Sequence, residues 1–338
     1  MEMRDRLDRA RHPFFKHAEA EFFLAERNGR VVGRIAAIEN RAHNALHEDK
    51  VGFFGCYESE DDQSVTDALI ATAAGWVRAR GLDTLRGPVN LSVNDESGLL
   101  VDGFEYPPTI MMPHNPASYP RMLECTGLVK AKDLFVYRGG DHDRFVPIPE
   151  RLQRATAMLA TRYGITLRAL DMTRWDEELA AIKEIYNSAW EKNWGFVPMT
   201  DAEIDHLAAQ LRPLVIPELI PMAERDGKLV GFGITLPDLN EALKMHRGSI
   251  LGALRGLWMI RRRQIRRARI PLLGILPEVR GKGVDAMLYG WIWSRSGERN
   301  IYWGEAGWIL EDNQAMNAGL EKMTFRVYKT YRLYDKPL

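Results

Sequence analysis

The chain has 338 residues, 46% hydrophobic and 27% charged, and its 46 Lys and Arg balance 46 Asp and Glu, so the formal net charge is zero. Such a length points to two domains with sizeable cores, and the charge balance offers nucleic acid no basic surface overall. Two isolated cysteines, Cys56 and Cys125, exclude a disulfide framework or a metal knuckle and fit a reducing compartment, and no run of roughly 18 uncharged apolar residues exists to span a membrane.

The opening MEMRDRLDRARHPFF is too charged for a signal peptide, so a cytoplasmic protein is expected. EFFLAER and VVGRIAAIE flank Asn28-Gly29 and predict a hairpin. A strand (FFGCYE) and a helix carrying Leu69, Ala73, Trp76 and Val77 on one face come next, joined by YESEDDQSV, which is rich in carboxylates and lacks glycine. After the strand TLRGPVNL, the stretch GPVNLSVNDESGLLVDGF crowds Asn90, Asn94, Asp95 and Glu96 between apolar runs. Polar groups so placed form a satisfied network, line a site, or make a carboxylate-rich turn. A short helix (RMLECTG) and a strand (DLFVYR) close this half, and Gly, Asp and Pro gather in the expected linker, residues 139–150.

The second half repeats the order. A strand (ITLRALD) and helices over 177–193 and 201–211 lead to a hairpin of LIPMAER and LVGFGITLP turning at Asp226-Gly227. An insertion at 241–269 carries one Lys and eight Arg between Lys244 and Arg269 with no acidic residue, and Ile250, Leu254, Leu257 and Trp258 fall at helical spacing. Such a helix suits an anionic membrane surface or a cover over an apolar chain, and a solvated basic face is the plainer alternative. The strand PLLGILP then runs into VRGKGVDAM and a helix with an apolar stripe of Val284, Met287, Leu288, Trp291 and Ile292. Arg280, Gly281, Lys282 and Gly283 stand where strand turns to helix, so backbone N–H groups without helical partners converge and favour an anion. Packing alone is the alternative for so short a motif. Glu305 interrupts the apolar strand IYWGEAGWIL, where burial raises a carboxyl toward a useful base, unless an Arg pairs with it structurally. Asp312 and Asn313 open a helix as caps. In the closing strand VYKTYRLY, alternation puts Tyr328 and Tyr334 on one face and Tyr331 on the other.

The run PEVRGKGVDAML resembles the signature of the GNAT acyltransferases, Arg/Gln-x-x-Gly-x-Gly/Ala: Arg280 and Gly283 match, and Asp285 replaces the last small residue. EAGWILEDNQAMNAGLEKMTF resembles the fifth strand, Asn-led fourth helix and following segment of that family. The resemblance implies an α/β fold with a mixed sheet and acyl-CoA as co-substrate. Its pyrophosphate would lie on Arg280, Gly281, Lys282, Gly283, Val284 and Asp285, its pantetheine along Ile275 and Leu276, with Asn313 also touching it. A carboxylate at Asp285 would repel a diphosphate unless it caps the helix and points away. The resemblance places the chemistry at the splay between the fourth and fifth strands. Leu320 stands where the family often has a tyrosine acid, which leaves Tyr328 and Tyr331 to protonate the thiolate and Glu305, Asp95 or Glu96 to deprotonate an amine. Two halves of one order imply tandem GNAT-like domains, 1–145 and 146–338. The first would be degenerate, lacking an opening strand and carrying the carboxylate-rich loop.

With its HPFF, VGRIAAI, RGPVN, NDESGLLVDGF and WILEDN stretches, the chain is similar over most of its length to bacterial tandem-GNAT proteins of the ceramide synthase-like group. That similarity implies N-acylation of a long-chain, sphingoid-type amine by an enzyme peripheral to the inner membrane, with no metal and no permanently bound cofactor. Two alternatives stand beside it: acetylation of a small polar amine, and a non-catalytic module that binds a membrane or partner through residues 244–269.

Overall fold

The computed structural model describes residues 6–141, 143–190, 193–244 and 250–338. The first half contains β1 (Ala18–Arg27), β2 (Arg30–Asn40), α1 (Arg41–His47), β3 (Val51–Ser59), α2 (Gln63–Arg78), β4 (Thr84–Gly87), β5 (Leu99–Asp102), α3 (Tyr119–Cys125) and β6 (Val129–Gly140). The second opens with α4 (Glu150–Tyr163), β7 (Ile165–Ala169), α5 (Trp175–Ala189), α6 (Asp201–Leu211), β8 (Pro221–Arg225), β9 (Lys228–Pro237) and α7 (Asn240–Leu243). It ends with α8 (Ile250–Arg261), β10 (Arg267–Ile275), α9 (Val284–Glu298), β11 (Trp303–Leu310), α10 (Gln314–Lys322) and β12 (Arg326–Pro337). Both hairpins form where the turn chemistry demands: Asn28 and Gly29 have φ of 52° and 76°, Asp226 and Gly227 53° and 74°, the left-handed pair that matches the twist of the flanking strands.

All twelve strands share one mixed sheet in the order β1-β2-β3-β4-β12-β6-β11-β10-β9-β8-β7, with β5 also paired to β12. Its centre is exchanged between the halves. β6 closes the first half in sequence but pairs with β11, and β12 pairs with β4 and β5 of the first half. β6 and β12 also run antiparallel to each other. Each half is thus completed by the last strand of the other.

Parallel pairing is short in both halves, but in the first the chain after β4 stays on β3, with Val89 N donating to Phe54 O at 2.7 Å. β3 and β4 pair in parallel only over Val51–Phe53, and β10 and β11 only over Arg267–Ile270. Beyond Ile270, β10 stays with β9 as far as Ile275 while β11 follows β6 as far as Leu310. The two strands diverge into a V, and this is the splay expected at the fourth and fifth strands.

Several sequence expectations need correction. Gly139 and Gly140 belong to β6, so the connection between halves starts later than residue 139. Residues 150–163 form α4, which a reading of linker then strand passes over; it buries no residue completely, although Leu152, Leu159 and Tyr163 fall at helical spacing and Leu159 and Tyr163 pack on the core. β12 does not alternate strictly, because its register against β6 slips between Val327 and Lys329. This bulge puts Tyr328 beside Tyr331 in one cluster, while Tyr334 packs in another with Leu85 and Met122. The carboxylate-rich loop after β3 is tied up internally, with Glu60 2.7 Å from Arg30 and Asp62 2.8 Å from Arg27 while also capping α2.

Candidate active site

The V between β10 and β11 opens into a cleft of about 1520 Å³, counting the open space at its mouth, lined by Leu273, Ile275, Arg280, Gly281, Asp285 and Asn313 among others. In the antiparallel ladder with β9, the Leu276 N–H donates to Val230 O at 3.0 Å. Alternation then turns the polar groups of Leu273 and Ile275 to the open edge, where Ile275 can pair with an extended ligand and Leu276 cannot. Gly281 and Gly283 have φ of 72° and 77°, and a Cβ on Gly281 would meet nothing within 4 Å. The first helical bond of α9 runs from Met287 N to Gly283 O at 3.0 Å, so the N–H groups of Val284, Asp285 and Ala286 have no helical acceptor and can meet an anion, whereas those of Arg280 and Lys282 donate to Pro277 O and Val279 O at 3.2 and 3.4 Å.

Around this loop the charged side chains are partly diverted. Arg280 donates to Ala189 O at 2.9 Å, and Lys282 sits 5.8 Å from the Tyr163 ring centroid on α4. Val284 is buried and also borders the cleft. Asn313 caps α10 by accepting from Met316 N at 3.2 Å and still faces the cleft. Asp285 makes no capping hydrogen bond and lines the cleft, so its carboxylate stands beside the space a diphosphate would take.

The cleft continues into a chamber of about 1330 Å³, again with its open mouth, and Trp190, Asn193, Trp194 and Leu310 border both. The far wall is the 90–97 loop of the first half. Asp95 and Glu96 face this chamber, opposite Arg269, Pro271 and Trp308 of the splay. Glu96 is engaged, 3.0 Å from Arg6 and accepting from Asn90 at 3.2 Å; although burial works against ionisation, these bonds hold its carboxyl below the usual range. Among the described residues, the side chain of Asp95 accepts one bond, from Ser92 N at 3.3 Å. It lies deep in the protein while its side chain still reaches the chamber, and that depth pushes its carboxyl up to about 6, against the opposing pull of Arg6.

Sequence reasoning missed Tyr186. Its hydroxyl donates to Asn94 Oδ1 at 3.1 Å, and burial, reinforced by the charges of Asp95 and Glu203, pushes the phenol well above its ordinary value. The available signal was an aromatic recurring every fourth residue, Tyr186, Trp190 and Trp194, although the helix itself ends at Ala189. The first half holds this segment in place: His47 bonds Phe196 O at 2.9 Å and Asn94 donates to Val197 O at 2.8 Å.

Glu305, Tyr328 and Tyr331 come together behind the chamber, not in it. Glu305 is fully buried, accepts from Thr109 at 2.6 Å and from Tyr328, and lies 3.5 Å from Arg269. Tyr331 donates to Pro113 O at 2.9 Å. Arg269 spans the two environments, donating to Ile110 O, Met111 O and Gly307 O, each at 3.0 or 3.1 Å, while its edge borders the chamber. It therefore leaves the exposed basic cluster to which its sequence position assigned it, as does Arg267, 2.9 Å from Asp238.

Residues 245–249 of the basic insertion lie outside the described residues, as does the side chain of Ile250. In the rest, α8 turns Gly252 and Gly256 inward, and a Cβ on Gly256 would come within 2.7 Å of Leu239. Small residues let the helix lie close to the body while Leu251, Leu254 and Trp258, exposed by 69%, 58% and 45%, project outward. Arg255, Arg261 and Arg262 are exposed with them. Among the described residues no helix is long and apolar enough to cross a membrane, and no cluster of His, Cys, Asp and Glu could hold a metal ion.

No family model matches the chain. It is 39% identical over 345 residues to the bacterial ceramide synthase of Caulobacter vibrioides, an alignment covering 100% of this chain and 89% of that protein. To Protein YghO of Escherichia coli it is 34% identical over 336 residues, covering 97% and 85%. Similar solved structures include a tandem GNAT protein from the clavulanic acid biosynthesis pathway, with a TM-score of 0.58 and 14% identity over 96% of this chain and 84% of that one. A GCN5-related N-acetyltransferase from Sphaerobacter thermophilus gives 0.53 and 15% over 94% and 80%. At such identities the structural likenesses speak for the tandem GNAT fold alone.

Proposed function

We propose that this chain, which belongs to the family of the bacterial ceramide synthase and is a GNAT-fold N-acyltransferase, joins the acyl group of an acyl-CoA to a long-chain, sphingoid-type amine. The observation that carries the reading is the continuity between the cleft at the β10–β11 splay and the chamber holding Asp95. CoA lies in the cleft with its diphosphate at Gly281 and the α9 N-terminus and its pantetheine along Ile275, which brings the thioester to the shared wall at Trp190 and Trp194. The amine enters the chamber. Asp95, a carboxyl near 6, is ionised at neutral pH and takes the proton of the amine, which attacks the thioester carbonyl. The C–S bond then breaks and the sulfur leaves with a proton, so that amine and thioester give amide and free CoA thiol. Tyr186, protonated at neutral pH and in the same chamber, is the proposed donor, replacing the family tyrosine where Leu320 is buried. Glu96 and Arg6 fix the 90–97 loop, and Glu305 with Tyr328 and Tyr331 positions Arg269 behind the splay. The domains divide near 145/146.

In the same reading the enzyme works at the cytoplasmic face of the inner membrane, with Leu251, Leu254 and Trp258 of α8 in the interface and its arginines on anionic headgroups. The test is thermal stability with CoA, acetyl-CoA and a long-chain acyl-CoA, followed by thiol release and product mass with sphingoid amines. The largest shift with the long chain, and an amide product, support the reading. Equal shifts with CoA and acetyl-CoA would favour acetylation of a small amine, and no shift with any donor would overturn acyl transfer.

A further inference from the structure

Beyond the chamber lies a second cavity that the chemistry above does not use. It occupies about 720 Å³, counting the open space at its mouth, between α5 and α6 and the strands β9 and β10. Its wall is apolar throughout apart from the Tyr186 hydroxyl: Leu179, Ile182, Leu207, Ala208 and Val215 are representative. Tyr186, Met199, Leu207, Leu211, Ile234 and Leu272 border both this pouch and the Asp95 chamber, so the two spaces adjoin. The order is cleft, the chamber with its carboxylates, apolar pouch.

We propose that the pouch between α5 and α6 binds the unbranched alkyl chain of a lipid substrate, holding the chain while its reacting end remains in the chamber beside Asp95. This rests on the acyl-transfer reading of the site. A wall that offers almost no hydrogen-bonding group repels a polar acceptor and gains by removing methylenes from water. A space without a charged group that adjoins the chamber holding Asp95, Glu96 and Arg269 is placed for the far end of a chain, not for its head. In its wall Leu211 and Val215 flank the Arg212–Leu214 turn, against which α8 packs. The helix with the exposed leucines therefore lies against the turn that joins two residues of the pouch wall. The acyl group and the tail of the amine share this chemistry, and both must be assayed.

The experiment measures dissociation constants of the full chain for CoA and for acyl-CoAs from two to sixteen carbons, and separately for alkylamines of increasing length. A chain entering the pouch tightens binding with each methylene, by at most about four-fold for complete burial. Ala208→Trp fills the pouch from α6, and Leu179→Phe narrows it from α5 should the first variant fold poorly. Each variant is compared as the ratio of long-chain to short-chain affinity, and a thermal midpoint confirms folding. Loss of the length dependence in the acyl-CoA series assigns the pouch to the donor; loss in the alkylamine series assigns it to the acceptor. Length dependence absent from the parent, or unchanged in both folded variants, overturns the proposal. If no CoA species binds, the acyl-transfer reading fails, and the alkylamine series still decides the pouch.

Discussion

Asp95→Asn tests the proposed base through stability as well as rate. Folding raises this carboxyl from an ordinary 3.8 to about 6, so the native state holds the proton more tightly than the unfolded chain. Its contribution is fully present below about pH 4 and is lost as pH rises through 6. Linkage puts the deficit of the ionised group at about 1.5 kcal/mol at pH 5 and about 3 kcal/mol at pH 8. Asparagine has the same shape, can accept the Ser92 N–H, and does not ionise. The variant should therefore unfold at higher urea than the parent, with a gain about 1.5 kcal/mol larger at pH 8 than at pH 5, while amide formation falls at least about a hundredfold. In the parent, kcat/KM should climb through an apparent pKa near 6. Urea titrations at both pH values, run beside a thiol-release assay, decide the matter. A variant without the pH-dependent gain refutes the buried, solvent-starved carboxyl. One that gains stability but keeps its activity refutes Asp95 as the base.

Gly281→Val should weaken CoA binding more than about tenfold, because the new side chain projects into the diphosphate space, and should destabilise the fold by about 1–2 kcal/mol at its positive φ. Gly29→Val, at a similar φ and in open space far from the cleft in sequence, should show the stability loss alone; equal CoA affinity in both variants would remove the cradle assignment. Glu305→Gln leaves the buried Arg269 without its countercharge, and urea titration should report a loss of about 3 kcal/mol or more. A loss below about 1 kcal/mol would mean that the pair does not hold the splay together. Finally, the protein should sediment with vesicles containing phosphatidylglycerol and much less with phosphatidylcholine, with binding reduced by salt and by Leu254→Ser with Trp258→Ser; indifference to both lipid charge and the double substitution would exclude α8 as a membrane contact.

Much of the fold could be read from the sequence because its signals are local. Asn28-Gly29 and Asp226-Gly227 specify their turns by backbone conformation alone, and the Arg280–Gly283 loop announces a strand-to-helix turn by its glycines. The exchange of β6 and β12 leaves no such mark, since either pairing satisfies the same alternation. The bulge at Val327–Lys329 is equally silent, yet it moves Tyr328 to the opposite side from the one strict alternation assigns. The candidate site divides in the same way. Asp95 and Glu96 were conspicuous as carboxylates among apolar runs, but nothing local distinguishes the one tied to Arg6 from the one left facing the chamber. Arg269 counted as one more surface arginine until its strand pairing placed it in the interior.

The exchanged strands bear on why a half without a CoA cradle should be present at all. Neither half encloses the chamber alone: the second supplies α5, β10 and β11, and the first supplies the 90–97 loop with both carboxylates. That loop must be held at a fixed distance from the splay for Asp95 to reach an amine, and a hinged pair of domains would not hold it. Pairing of β6 with β11 and of β12 with β4 carries the sheet continuously across the molecule, so the strands flanking the 90–97 loop and the strands of the splay belong to one sheet. The expectation for the isolated second half, residues 146–338, is correspondingly specific. It keeps the cradle residues but lacks β6, which leaves the β11 edge unpaired, and lacks Asp95. It should bind CoA weakly if it folds, and should not form amide at any concentration of donor.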